Sequence, residues 1–206
     1  MQKYGRTYHL PGSPGATSDD KRMESTSVLE AAGDLVATEK MDGENTTIHA
    51  GGTHARSPDS RYHPSRDWMK AFAAGISPHL APGERIVGEY LFARHAIPYT
   101  ALPSYFLGFA WITHGRVRTW DETADRFADL GITPVPLLFR GPWRPGLVDD
   151  LTTALDLERQ EGLVLRTASE FPEPAMPQHM GKWVRSDHVT SETHWMHAEI
   201  IRNGLA

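Results

Sequence analysis

Leu35-Val36-Ala37-Thr38-Glu39-Lys40-Met41-Asp42-Gly43-Glu44-Asn45-Thr46-Thr47-Ile48-His49-Ala50 carries the reading of the fold. Leu35 to Glu39 is apolar and β-branched, as a buried strand requires. Lys40 to Asn45 interrupts it with a tight glycine turn, and Thr46 to Ala50 resumes as strand. Gly51-Gly52 is a hairpin turn that returns Thr53 to Ser57 as a further strand. Short strands joined by hairpins and irregular loops, with few clean βαβ units, predict an α+β domain: antiparallel sheets flanked by helices.

The pattern continues outward. Strands are expected at Arg85 to Phe92, Tyr105 to Thr113, Arg116 to Thr119, Glu161 to Thr167 and Lys182 to Val184, with Tyr105 to Thr113 central. Helices are expected at Glu24 to Ala32, around Trp68 to Ile76 with Ser65 as its cap, at Asp121 to Leu130 with Gly131 closing it, at Gly146 to Leu157, and at Glu192 to Ile201. Residues 1–22 read as an irregular arm, either an ordered loop in which His9 to Gly15, with Asp19 and Asp20, lines a cleft or a floppy leader. Phe171 to Gln178 reads as a proline-rich loop.

With 206 residues the chain is long enough for one domain with a real core, and it has no cysteine, so disulfides, thiol catalysis and zinc–thiolate sites are excluded. No apolar run is long enough for a membrane span, no signal peptide is visible, and the expected location is cytoplasmic. The formal net charge of −5 is no basic nucleic-acid footprint, though a small positive stripe is compatible with it. Of the 21 basic residues, five are lysines: Lys3, Lys21, Lys40, Lys70 and Lys182. Arginine forks onto phosphate but does not readily become a nucleophile; a partly buried lysine beside other cations does.

Lys40 sits between two strands, with Asp42 and Glu44 able to hold a divalent ion or tune the amine. Arg56 follows on the returning strand, Glu89 interrupts an apolar strand, and Glu161 and Arg166 flank Gly162-Leu163-Val164-Leu165. Lys182 lies in another aromatic strand. Charges inside buried strands need partners or ligands, so four such strands suggest one polar cleft between two sheets. His49 with His54, and His194 with His197, are imidazole pairs that suit a transition metal, but neither has an evident third ligand.

In that order, these residues resemble the motifs of the covalent nucleotidyltransferases, the ATP-dependent polynucleotide ligases and mRNA capping enzymes, and the RNA ligase branch most closely. Lys40-Met41-Asp42-Gly43 resembles the nucleophile motif, Asn45 its RNA-ligase form, and Arg56 the next motif. Gly88-Glu89-Tyr90, the aromatic strand Tyr105 to Trp111, Glu161 to Arg166, and Lys182 resemble the motifs after it. The resemblance runs from about residue 34 onward. It departs where Arg166 replaces a lysine, where Ala110 follows Phe109 in place of aspartate, and where Val184 replaces the second lysine of the last motif. Strand alternation puts Arg185, the next basic residue, on the opposite face.

The resemblance implies a nucleotidyltransferase fold (ATP-grasp-like, of the ligase adenylation type) over 1–206, without the C-terminal OB-fold barrel of DNA ligases and capping enzymes. It implies an ATP-dependent RNA ligase. Lys40 attacks the α-phosphorus of ATP to give lysyl-AMP, AMP passes to an RNA 5′-phosphate, and a 3′-hydroxyl then displaces it. Mg2+ or Mn2+ is expected, held by Glu161, with Asp42 as the second candidate ligand. Lys182 would contact the α-phosphate and depress the pKa of Lys40. Glu89 would bind the ribose, Arg56 and Arg166 phosphate, and Phe109 or Phe106 would stack on adenine. Glu39 would border the nucleotide and Asn45 would orient the RNA end. The implied partners are RNA ends and no membrane, with room for a separate end-processing or RNA-binding protein. The alternatives are a capping-type guanylyltransferase, a DNA ligase, and an RNA-end-binding module without chemistry.

Overall fold

The computed structural model describes residues 2–56, 63–186 and 200–206. Ser57, the turns at Pro58 to Ser60 and at Tyr62, the tail from His188, the pair His194 and His197, and most of the helix expected over 192–201 lie outside the described residues.

The strands in chain order are β1 (Tyr8–His9), β2 (Leu35–Lys40), β3 (Glu44–His49), β4 (Gly52–Ala55), β5 (Arg85–Tyr90), β6 (Phe106–Thr113), β7 (Arg116–Val117), β8 (Thr133–Pro134), β9 (Leu137–Gly141), β10 (Gly162–Thr167), β11 (Phe171–Pro172) and β12 (Met180–Val184). The helices are α1 (Ser27–Ala31), α2 (Asp67–Ile76), α3 (Trp120–Leu130), α4 (Leu147–Thr153) and α5 (Met176–His179). One sheet has the order β1-β12-β10-β2-β9. The other has the order β11-β7-β6-β5-β3-β4, with β8 added beside β6. Pairing is antiparallel except for β1 with β12 and β6 with β8. This is the expected α+β architecture, and β6 is an interior strand as its apolar sequence predicts.

Each sheet is covered outside and packs on the other inside. On β2, Leu35 and Ala37 pack with Leu29, Leu147, Leu163 and Leu165 under α1 and α4. Val36, between them, faces Leu91, Leu107 and Trp120 of the other half. A strand buried on both faces reads as a continuous apolar run. On the second sheet, Ile48, Ile86 and Phe106 pack against Met69, Ala73 and Ile76 of α2 and Phe127 of α3. Its inner residues Val87, Ala110 and Ile112 meet Met180 and Val164 of the first sheet.

The turn after Lys40 is not a hairpin. β2 and β3 belong to different sheets, so Met41 to Gly43 is the crossover between them. Met41 is buried between the sheets. A Cβ on Gly43 would lie 2.5 Å from the Tyr90 carbonyl oxygen and 2.8 Å from Leu91, so only glycine permits this close approach. The true hairpin is β3–β4, with Arg56 just past its end.

Other departures are local. Ser65 does not cap α2; it lies in a 3₁₀ turn, Pro64–Arg66, whose His63 side chain accepts from the Ser65 N–H. Pro64 fixes φ at the start of that turn and favours the tight form. The proline-rich stretch after β10 contains β11, a 3₁₀ turn and α5, with prolines at the first turns of both helical pieces, where a missing N–H is harmless. α3 starts one residue earlier than expected, at a Thr119–Glu122 capping box, and ends at Gly131 with φ +66.

Candidate active site

A cleft of about 660 Å³ opens between the two sheets. Antiparallel register sets its floor. Lys40 lies opposite Gly162, and Val164 opposite both Thr38 and Lys182. Directly opposed residues share a face, so Lys40 and Lys182 project from the same side of the first sheet. The wall from the second sheet presents Asn45 beside Glu89, with Arg56 at the end of β4.

Lys40 Nζ is hydrogen-bonded and ion-paired to Glu161 Oε2, with the Lys40 side chain 23% exposed and that of Glu161 1%. Burial works against charge on the amine, but Glu161, Glu89 and Asp42 together outweigh it and hold Lys40 above the usual lysine range. The expected depression of Lys40 is therefore not what the free protein shows. It is Lys182 that is lowered, by burial and then by the charge of Lys40. The carboxylates win at Lys40 because one of them touches the amine directly. Glu89 is pushed up to about 8, chiefly by burial; Lys40 and the Gly43 N–H, 3.2 Å from its Oε1, only partly offset that. Burial also lowers Arg56, with Arg6 adding to the effect.

Of the residues expected in the site, Lys40, Lys182, Glu39, Arg56, Glu89, Phe109, Arg166 and Asn45 line the cleft, and Glu161 reaches it through Lys40. Phe106 does not. It is fully buried on the outer side of its sheet, packed on Phe72. β6 has a register shift here: Val87 pairs with Ala110 and Gly88 with Gly108, which leaves Phe109 as the extra residue of a β-bulge. The bulge aims Phe109 into the cleft beside Tyr4, with ring centroids 5.6 Å apart.

Asp42, expected as a metal ligand, turns away from the cleft. Its Oδ2 accepts the N–H groups of Ala96 at 2.7 Å and Ile97 at 2.9 Å, so its place is in the loop backbone. Arg166 lines the cleft yet is anchored to protein carbonyls, donating to Thr167 at 3.0 Å and Arg118 at 2.8 Å. Arg185 donates to the Leu157 carbonyl at 2.6 Å and does not line the cleft.

Part of the arm walls the site. β1 pairs with β12 beside Lys182, and Tyr4, Arg6, Asp20 and Lys21 line the cleft, whereas His9 to Gly15 and Asp19 do not. The Arg66–Glu44 ion pair, at 2.6 Å, closes the rim. Sequence reading missed Tyr4, Arg6 and this pair because their signal is tertiary: parallel pairing of a two-residue strand leaves no local pattern. His49 and His54 lie across their hairpin with ring centroids 5.4 Å apart, and His49 Nδ1 accepts the Gly51 N–H.

Among the described residues, the cleft-lining Asn45 Oδ1, Arg56 Nε and Arg166 Nη1 are buried without a hydrogen-bond partner, as is Glu44 Oε1 apart from its ion pair with Arg66. Leaving such atoms unpaired costs about 1–3 kcal/mol each; the two arginine nitrogens suit an anionic ligand and the Asn45 oxygen a donor group. Glu161 supplies an oxygen donor of the kind a hard divalent cation takes. Among the described residues no three histidine, aspartate or glutamate side chains could hold a metal by themselves, so ligand oxygens would complete its shell. No helix among the described residues is long and apolar enough to cross a membrane.

The sequence model described as RNA ligase matches residues 33–184. The chain belongs to the RNA ligase family. Solved RNA ligases share its fold. An archaeal ATP-dependent RNA ligase superposes with a TM-score of 0.63 at 18% identity, covering 91% of this chain and 49% of that one. A variant of the Naegleria gruberi RNA ligase with ATP and Mn superposes at 0.54 and 15%, covering 77% and 51%. The Naegleria gruberi RNA ligase with PPi gives 0.55 and 16%, covering 86% and 58%. The chain thus spans about half the length of these ligases. No curated protein matches it in sequence. The RNA ligase match contains Lys40, Arg56, Glu89, Phe109, Glu161 and Lys182, while the arm carrying Tyr4 and Arg6 precedes it.

Proposed function

We propose that this chain is the nucleotidyltransferase domain of an ATP-dependent RNA ligase that works through lysyl-AMP on Lys40. The observation that carries this reading is the convergence of Lys40, Glu89, Glu161 and Lys182, from four separate parts of the chain, on one cleft. Family membership and the relatives with ATP and Mn, and with PPi, support it.

Lys40 must be neutral to attack, and its carboxylate contact holds it protonated in the free protein. Glu161, already hydrogen-bonded to the amine, is placed to take that proton. The Nζ–phosphorus bond then forms as the bond to pyrophosphate breaks. Lys182 faces the same side and neutralises charge building on the α-phosphate. Phe109 stacks on the base, Glu39 borders it, and Glu89, largely protonated at neutral pH, can donate to a ribose hydroxyl. Mg2+ or Mn2+, held by Glu161 with phosphate oxygens, would offset charge on the reacting phosphate. In the second step an RNA 5′-phosphate oxygen attacks the same phosphorus, the Nζ–phosphorus bond breaks and Lys40 recovers a proton. A 3′-hydroxyl then attacks the activated 5′-phosphate and AMP leaves. Arg56 and Arg166, each with an unpartnered buried nitrogen, hold phosphate, and Asn45 orients the RNA end.

Intact mass after incubation with ATP and Mg2+ or Mn2+ tests the first step. Wild type should gain one AMP, lose it on addition of pyrophosphate, and fail to gain it as Lys40→Ala. Labelling by GTP instead would make it a guanylyltransferase. Binding of 5′-phosphorylated RNA without any gain of AMP would make it an end-binding module.

A further inference from the structure

One hydrogen-bonded system connects segment 201–206, which lies beyond residues 33–184 of the family match, to the crossover that follows Lys40. Asn203 is 4% exposed. Its Oδ1 accepts the Tyr99 backbone N–H at 3.0 Å, and its Nδ2 donates to the Leu91 carbonyl at 2.8 Å. Its own N–H donates to the Phe92 carbonyl at 3.0 Å, and its carbonyl accepts the Tyr105 hydroxyl at 3.1 Å. Gly204 adds N–H to Tyr99 carbonyl at 2.8 Å and receives the Leu102 N–H at 2.9 Å. The segment therefore ties down both ends and the middle of the loop between β5 and β6.

That loop holds the residues after Lys40. The Tyr99 hydroxyl accepts the Asp42 N–H at 2.9 Å, and the Asp42 carboxylate accepts the Ala96 and Ile97 N–H groups. Met41 is packed on Leu91 and Leu102, which Asn203 and Gly204 bind through their backbone groups. We infer that Asn203 is a positioning residue for the nucleophile: through Tyr99 and Asp42 it fixes the chain leaving Lys40, and so the aim of the amine in the cleft.

The inference rests on the ligase reading, and the steps of that reaction separate the two. Lys40 is the nucleophile only when it takes AMP from ATP. Joining an RNA already carrying AMP on its 5′-phosphate does not use the amine in that way. Asn203→Ala should slow adenylation of Lys40 by about 10-fold or more, while joining of pre-adenylated RNA stays within about 2-fold of wild type. Tyr99→Phe removes only the hydroxyl that receives the Asp42 N–H, and should slow adenylation by about 3- to 10-fold with the same sparing of joining. It decides the matter if Asn203→Ala does not fold. Equal losses in both steps would reduce the segment to scaffolding and overturn the inference, as would Tyr99→Phe adenylating at the wild-type rate. A wild type that never gains AMP sinks the ligase reading and this inference with it. Wild type gaining AMP beside unaffected variants sinks the inference alone.

Discussion

At the scale of single residues, the site is a contest between burial and charge. Lys40 is raised because Glu161 touches it and Glu89 and Asp42 lie near, in spite of burial. Glu161→Gln removes the largest of those charges, so the amine should titrate lower and the acid limb of the adenylation rate should move to lower pH. The maximal rate should fall about 10²- to 10⁴-fold, because the proton acceptor is gone. Single-turnover labelling with ATP across pH reads both effects; an acid limb that does not move would free Glu161 of the first role. Glu89 gives the opposite stability argument. Its folded pKa of about 8 lies above the ordinary 4.5, so the folded state keeps a proton that the unfolded chain releases between those values. Stability therefore falls as pH rises from about 4.5 to about 8 and stays lower above. Glu89→Gln should stabilise the nucleotide-free protein by on the order of 3 kcal/mol at pH 8.5 and by little at pH 5. Thermal melts at the two pH values check this, and an equal gain at both would mean that the carboxylate is not held protonated. Weaker ATP binding by the same variant is the expected trade of stability against function.

At the scale of elements, the crossover is the joint on which the site depends. Gly43 brings β3 against β5 so closely that a methyl group would meet the Tyr90 carbonyl oxygen. Gly43→Ala should destabilise the fold by about 1–3 kcal/mol and, by pushing the crossover away from β5, slow adenylation more than its loss of stability explains. Urea unfolding beside labelling at a temperature where the variant is still folded tests it; a stable variant with full labelling would show that the crossover tolerates the displacement. This joint also marks how far the sequence was legible. Leu35 to Lys40 and Gly162 to Thr167 are apolar runs buried on both faces, so their identity as strands was plain. Helix α3 announced itself through periodicity and Gly131. The sheet to which each strand belongs was not legible, because a three-residue connection between sheets has the same composition as a hairpin. Spacing put Phe109 and Phe106 on opposite faces but did not say which face meets the cleft, and only the resemblance favoured Phe109; the pairing with β5 that settles it is not encoded in β6 alone. Asp42 had the right chemistry for a metal, but two backbone N–H groups more than 50 residues away claim it.

At the scale of the molecule, the charge distribution opposes the net charge. The chain carries −5, yet seven lysines and arginines line the cleft against four carboxylates. A positive lining in a cleft with low-dielectric walls concentrates field there, so a mildly acidic protein can still draw a polyanion to its site. Both sheets and the arm make this arrangement: the first sheet contributes Lys40, Arg166 and Lys182, the second Arg56, and the arm Arg6 and Lys21. Nearly every one of these cations comes from a different stretch of sequence, and so the basic footprint is invisible in the composition. Binding of single-stranded 5′-phosphorylated RNA should then weaken with salt, with a log–log slope of about −0.7 for each phosphate neutralised. Arg56→Ala should make that slope shallower by about 0.7. Arg159→Ala, at a side chain 86% exposed and outside the cleft, should leave it unchanged. Fluorescence anisotropy across a salt series distinguishes them. Equal slopes for wild type and both variants would mean that RNA is held by some other surface, and that the excess of cations in the cleft serves the nucleotide alone.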